Sequence, residues 1–370
     1  MADYSIGLIS GTSADGIDAA LVQFDAHSAS LVASHSEPLT DQIKASLFSL
    51  FSEEDKPDTD AIDLMGSLDN ELGHCFAKAV LNLLESSGLN KEQICAIGSH
   101  GQTIRHRPAQ AFTTQIGNPN IIAELTQIDV VADFRRRDMA IGGQGAPLAP
   151  AFHRAFLASA DENTVVLNLG GIANVTWLPK QENTVLGFDT GPSNGLMDAW
   201  ILRHKQQAFD RDGAWASTAN PNAALVQQWL ADPYFSAPPP KSTGKEYFHL
   251  QWAQQRAPDM VSSAPAEVQA SLLELSAQTI FNAIERHCPQ PSRVLVCGGG
   301  VHNSALMKRL RTLCPCPVES TATCGIDPDW MEAMAFAWMA KQFKERQALD
   351  LRSITGSSRP AILGALYPGQ

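Results

Sequence analysis

Short apolar or alternating runs separated by small polar residues open the chain and predict three successive strands, at residues 4–10, 17–24 and 31–35. Helical spacing follows over 41–50 and 59–85, with Thr59 as N-cap and Gly88 as stop. Residues 94–99 read as a buried strand and 120–125 as a short helix. Residues 129–134 read as a strand running into Arg135, Arg136 and Arg137. The same order then returns. After a helix over 148–157, strands at 164–168, 174–178 and 185–188 surround a Gly170-Gly171 turn. A helix at 265–288, a strand at 293–297, a helix at 303–313 and a long apolar helix from 328 to about 349 complete the pattern. Two β-meanders, each with a glycine turn and each followed by helices, imply a duplicated α/β unit. The uncharged, glycine- and proline-rich stretch 139–152 reads as a crossing between lobes, and Pro238–Pro240 as a loop inside a polar insertion.

A chain of 370 residues suits two domains, and 44% hydrophobic with 18% charged residues supplies a core and excludes wholesale disorder. With 27 Lys+Arg against 39 Asp+Glu, the net charge of −12 argues against nucleic acid or an anionic membrane as partner. No apolar run reaches membrane-spanning length, and the first residues lack the pattern of a secretory leader. Seven scattered cysteines match neither a disulfide framework nor a zinc spacing, so a reducing cytoplasm is the expected location.

Five segments could carry chemistry. Gly11, Thr12, Ser13, Ala14, Asp15 and Gly16 form a small-residue turn whose backbone N–H groups and hydroxyls suit a phosphate, although taken alone it reads first as an ordinary hairpin. Gly170 and Gly171 carry the same ambiguity. Gly298, Gly299 and Gly300, followed by His302 and Asn303, join a buried strand to a helix; a nucleoside could lie there, and so could a plain crossover. Asp189, at a predicted strand tip before Thr190-Gly191-Pro192-Ser193, is placed to act as a general base or merely to close an Asx-turn. His100 and His106 lack a third ligand nearby, so a polar loop facing a substrate is the better reading than a metal site.

Taken together these segments resemble one family. Residues 6–18, 98–102, 130–147, 168–174, 188–198, 298–303, 329–335 and 355–359 look, in order, like the motifs of the 1,6-anhydro-N-acetylmuramic acid kinases. Ala14 stands where that family usually has a larger aliphatic residue, and Ser193 where glycine is usual. The resemblance implies an α/β fold of two actin-like (ribonuclease H-like) lobes with mixed five-stranded sheets around a nucleotide cleft. The expected first lobe is 1–135 with about 350–370, and the second 136–349. It further implies ATP and Mg²⁺, an anhydro amino sugar as substrate and a homodimer, with no dedicated protein metal site. ATP phosphates would meet Gly11–Asp18 (Gly11, Thr12, Ser13, Ala14, Asp15, Gly16, Ile17 and Asp18), with Gly170, Gly171, Gly298, Gly299 and Asn303. Asp189 would be the base that activates water, and Glu332, His100 and Arg135 would face the sugar. Water would open the acetal at C1 while O6 takes the phosphoryl group. An ordinary sugar kinase of the same fold, or a non-catalytic ATP-binding module, would share most of these features.

Overall fold

The computed structural model describes residues 4–11, 14–51, 60–180 and 185–369. The chain divides into two compact units, Met1–Phe156 with Trp330–Gln370, and Leu157–Asp329. Residues 136–156 and 330–349 therefore pack with the first unit, not with the second as their sequence position suggests. Aromatic contacts draw them there: Phe156 lies against Phe24 and Phe152, and Trp338 meets both Phe152 and Phe156 edge-on.

In the first unit β1 (Tyr4–Ser10), β2 (Gly16–Phe24) and β3 (Ala29–Pro38) form an antiparallel meander. β4 (Ile94–Arg107) lies parallel to β1 and pairs antiparallel with β5 (Phe112–Ile116), and β6 (Val130–Ala132) lies parallel to β4. Ala365–Tyr367 adds an antiparallel edge to β6, which brings the sheet to seven strands. The expected five are present as β3-β2-β1-β4-β6; the hairpin with β5 and the C-terminal strand are the additions.

The second unit repeats that order. β7 (Thr164–Leu169), β8 (Ile172–Leu178) and β9 (Leu186–Pro192) form the meander. β10 (Arg293–Cys297) and β11 (Val318–Ser320) extend it in parallel, giving β11-β10-β7-β8-β9. The duplicated pattern read from the sequence is thus a duplicated topology, with helices packed on both sheets.

Two strand glycines have a packing cause. Gly7 and Gly98 are register partners on β1 and β4, and a Cβ on either would run into a backbone carbonyl, Ala333 O or Phe336 O, of helix Met331–Lys344. The small residues Ala333, Ala337 and Ala340 on that helix complete a backbone-to-backbone approach. The long helix Ala61–Ser87 is capped by the Asp60 side chain, which accepts from Ile62 N at 2.7 Å, one residue beyond Thr59, which lies outside the described residues. Gly88 ends it in the left-handed conformation, as expected. Asp133, also left-handed at φ 65°, turns the chain out of β6 into helix Phe134–Met139. Arg135–Arg137 therefore sit on a helix and not at a strand end. Among the described residues no helix is long and apolar enough to cross a membrane.

Candidate active site

In the second unit the three glycine-containing motifs come together. The Gly170-Gly171 turn faces the start of helix Asn194–Lys205: Gly171 O accepts from Ser193 N and Gly195 N, each at 3.0 Å, and Gly170 O accepts from Asn194 N at 3.1 Å. The turn thereby satisfies donors that a helix start leaves open. Asn194 Nδ2 donates to Leu169 O at 3.1 Å. Gly298, at φ 79°, lies so close to Asn168 that a Cβ would strike its Oδ1. Gly299 is open on its Cα face, with nothing near a would-be Cβ. Asn303 caps helix Ser304–Leu313 through Leu306 N at 3.1 Å, so its side-chain oxygen has a structural task. His302 Nε2 lies 2.8 Å from Asp329 at the edge of this group.

Asp189 is not at a strand tip. β9 runs on to Pro192, and Asp189 sits opposite Asn174 at a bulge, where Thr190 is the unpaired extra residue. Its backbone N–H donates to Lys241 O at 3.1 Å, its carbonyl accepts from the Tyr234 hydroxyl at 2.9 Å, and its Oδ2 accepts from Thr243 N at 2.9 Å. One segment, 234–243, therefore holds Asp189 at three points. Burial pushes the carboxyl up to about 6, with Glu246 adding to the rise and the Thr243 N–H and Lys241 opposing it. Ser193, the departure from the family's usual glycine, is fully buried and its carbonyl accepts from Ser276 Oγ at 3.0 Å.

In the first unit β1 and β2 flank the first small-residue turn. Ala14 is buried at φ 55° and its N–H donates to Gly11 O at 3.0 Å. Asp15 is exposed, Gly16 opens β2 and Ile17 points into the core. Thr12 and Ser13 lie outside the described residues. Ser10, at the end of β1, donates to Gln102 Oε1 at 2.6 Å.

His100 and Arg135 form a buried pair. Arg135 Nε donates to His100 Nε2 at 2.9 Å, and His100 Nδ1 lies 2.9 Å from Gly101 O. A guanidinium can only donate, so the imidazole is neutral with its proton on Nδ1. Burial and the Arg135 charge both hold its pKa well below the usual value. Burial lowers Arg135 to about 10, while Glu332 and Asp138 favour its charge. Crowding by protein pushes the Glu332 carboxyl up; Arg135 opposes this and Asp18 adds to it. Glu332 is an exposed residue on which the Arg135 and Asp18 charges act in opposite directions. Asp18, Arg135 and Glu332 are thus electrostatic neighbours, with His100 behind them. His106 lies on the same strand and contacts Thr113 Oγ1 at 3.1 Å; residues 99–107 are continuous strand, not a loop.

The whole chain, residues 3–369, matches the model of one protein family, anhydro-N-acetylmuramic acid kinase. Proteins of that name from Xanthomonas campestris pv. campestris (52% identical) and Shewanella amazonensis (49%) align over 98% of this chain and 97% and 98% of their own. One from Coxiella burnetii is 49% identical over 99% of this chain and 97% of its own. The chain belongs to the anhydro-N-acetylmuramic acid kinase family. Among solved structures, the activator of a 2-hydroxyisocaproyl-CoA dehydratase from Clostridium difficile covers 92% of this chain at 11% identity and a TM-score of 0.49, too slight a likeness to bear on function.

Sequence reading alone missed several residues around the site of this anhydro-N-acetylmuramic acid kinase family member. Tyr234, Lys241 and Thr243 lie in the polar insertion around Pro238–Pro240, where the sequence predicts a loop. That insertion is ordered by buried Asp232, which receives Arg256 at 2.8 Å, Trp252 Nε1 at 2.9 Å and Tyr247 at 3.0 Å. The concentration of aromatic residues in this stretch, Tyr234, Phe235, Tyr247, Phe248 and Trp252, was the available signal for a small core, and their rings pack together. Asp138 was missed as well. Fully buried, it accepts from Gly145 N and from Thr355 Oγ1, both at 2.8 Å, and pins the glycine-rich 142–147 stretch to the C-terminal segment. Thr355→Val would leave that carboxylate short of a donor and should cost about 1–3 kcal/mol in chemical denaturation. Unchanged stability would show that the pair contributes nothing.

Proposed function

We propose that the protein is an ATP-dependent kinase that hydrolytically opens 1,6-anhydro-N-acetylmuramic acid and phosphorylates O6, giving N-acetylmuramic acid 6-phosphate and ADP in peptidoglycan recycling. The family membership supports the substrate, and the held, half-buried Asp189 is the observation that carries the chemistry. A carboxylate with a pKa near 6 is ionised at neutral pH yet basic enough to take a proton from water. Water loses that proton to Asp189 and adds to C1, the C1–O6 bond breaks, and O6 takes up the γ-phosphoryl group as ADP leaves. The phosphoryl acceptor therefore needs no second base, and attack opposite the leaving oxygen follows the logic of inverting glycosidases.

In this reading the two like-folded units are both actin-like, and each contributes residues that contact the nucleotide. Gly11–Asp18, Gly170, Gly171, Gly298, Gly299 and Asn303 belong to the ATP site. Arg135 and Glu332, with His100 fixing the guanidinium, face the sugar. Among the described residues no group of three or more His, Cys, Asp or Glu side chains converges. In this reading magnesium arrives with the ATP phosphates, and Asp18 is among the residues around those phosphates. Bound there, magnesium would neutralise charge on the transferring group. The reading extends to a homodimer in the cytoplasm.

Purified protein given ATP, Mg²⁺ and the anhydro sugar should release ADP and sugar phosphate one for one, with little ADP when the sugar is withheld. ADP release indifferent to the sugar would favour a chaperone-like ATP-binding protein that phosphorylates no sugar.

A further inference from the structure

The segment that holds Asp189, Lys241-Ser242-Thr243-Gly244-Lys245-Glu246, has a second face. A Cβ placed on Gly171 would lie 2.7 Å from Lys245 Cε and 3.7 Å from its Nζ, so the lysine stem crosses directly over the Gly170-Gly171 turn. The two lysines of the segment have different tasks. Lys241 is turned inward: its Nζ donates to Tyr234 O at 3.0 Å and sits 4.5 Å from the Tyr234 ring centroid. Lys245 is exposed, and among the described residues no carboxylate pairs with its ammonium.

Charge sharpens the contrast. The segment's surroundings already hold the Asp189 and Glu246 carboxylates; burial is the main cause of the raised Asp189 carboxyl, and the Glu246 charge adds to it. A nucleoside triphosphate approaching that neighbourhood meets repulsion unless a cation offsets it. Phosphoryl transfer itself also needs positive charge against the transferring oxygens. Lys245 is the cation the segment brings to the glycine turn.

We propose that Lys245 contacts the phosphate chain of the nucleotide, its ammonium reaching the phosphates across the Gly170-Gly171 turn. Because the segment that carries Lys245 also hydrogen-bonds Asp189 through Lys241 O and Thr243 N, the base and the phosphate contact are held in a fixed relation. This rests on the kinase reading, specifies a residue that none of the motif matches includes, and explains why glycine occupies position 171: a side chain there would displace the lysine stem.

The test uses the full chain and compares ATP with adenosine, which lacks phosphates. Lys245→Met should weaken ATP binding by roughly tenfold or more, as expected for loss of a charge-assisted phosphate contact. Adenosine binding should stay within about twofold, and Lys245→Arg should keep most of the ATP affinity. Lys308→Met, on an exposed helix position, serves as the control for a simple change of net charge. If the wild type phosphorylates the anhydro sugar while Lys245→Met binds ATP as tightly as wild type, the Lys245 assignment is wrong and the kinase reading stands. A wild type that binds no ATP overturns both.

Discussion

Replacing Asp189 with asparagine should lower kcat by at least roughly 10²-fold while ATP and sugar still bind, because asparagine keeps the size and the Thr243 N–H contact but cannot take a proton. Both halves of the reaction should fail together, since O6 is freed only when the acetal opens. The same change should not destabilise the protein. Asp189 is raised from 3.8 to about 6, so its burial favours the folded state least when the carboxylate is ionised. The sign is that of a raised acid: stability falls as pH climbs from the unfolded value through about 6, by up to roughly 3 kcal/mol. Asp189→Asn removes that cost, and its melting temperature at pH 7 should match or exceed the wild type's. The wild-type kcat/KM should rise with pH through about 6 on the acid limb, as the base becomes ionised. Near-wild-type turnover in the variant would move the base elsewhere, with Glu332 the first group to examine.

A large effect on stability is expected at Gly98. Alanine there would place its Cβ against Phe336 O, a backbone atom that cannot swing away as a side chain could. Overpacking of this kind costs about 3 kcal/mol, a fall of roughly 6–12 °C in melting temperature for a unit of this size. Gly7→Ala should behave alike, because the same helix covers it through Ala333 O. Differential scanning calorimetry measures both. A change under about 1 kcal/mol would mean that helix Met331–Lys344 moves off the sheet without penalty.

These two positions also mark what could be read from the chain. The meanders at residues 4–38 and 164–192 were legible because short apolar runs and glycine turns alternate there. The long helices were legible from their spacing and from Gly88. Gly7 and Gly98 gave no sign of their partner, since the helix they admit lies more than 230 residues away in the chain. The hairpin of β4 with β5 was obscured because its residues are mostly polar and partly exposed, which reads as a loop. Arg135 was noticed for its charge. Its fixed orientation, set by neutral His100 and Gly145 O, depends on contacts 35 and 10 residues distant that no local pattern encodes. Asp189 was identified by the motif around it, but the three contacts that shape its chemistry come from an insertion whose organising residue, Asp232, gave no local sign of that role. The motif thus marks Asp189 in the sequence, and the folded insertion sets its surroundings.

The central claim is that water and phosphate enter the sugar in one reaction. The direct measurement is mass analysis of the sugar product formed from ATP and the anhydro sugar in heavy-oxygen water. One labelled oxygen at C1, accompanied by one unlabelled phosphoryl group on O6, is the expected result. A phosphorylated sugar without label, its internal acetal intact, would contradict it and leave an ordinary sugar kinase.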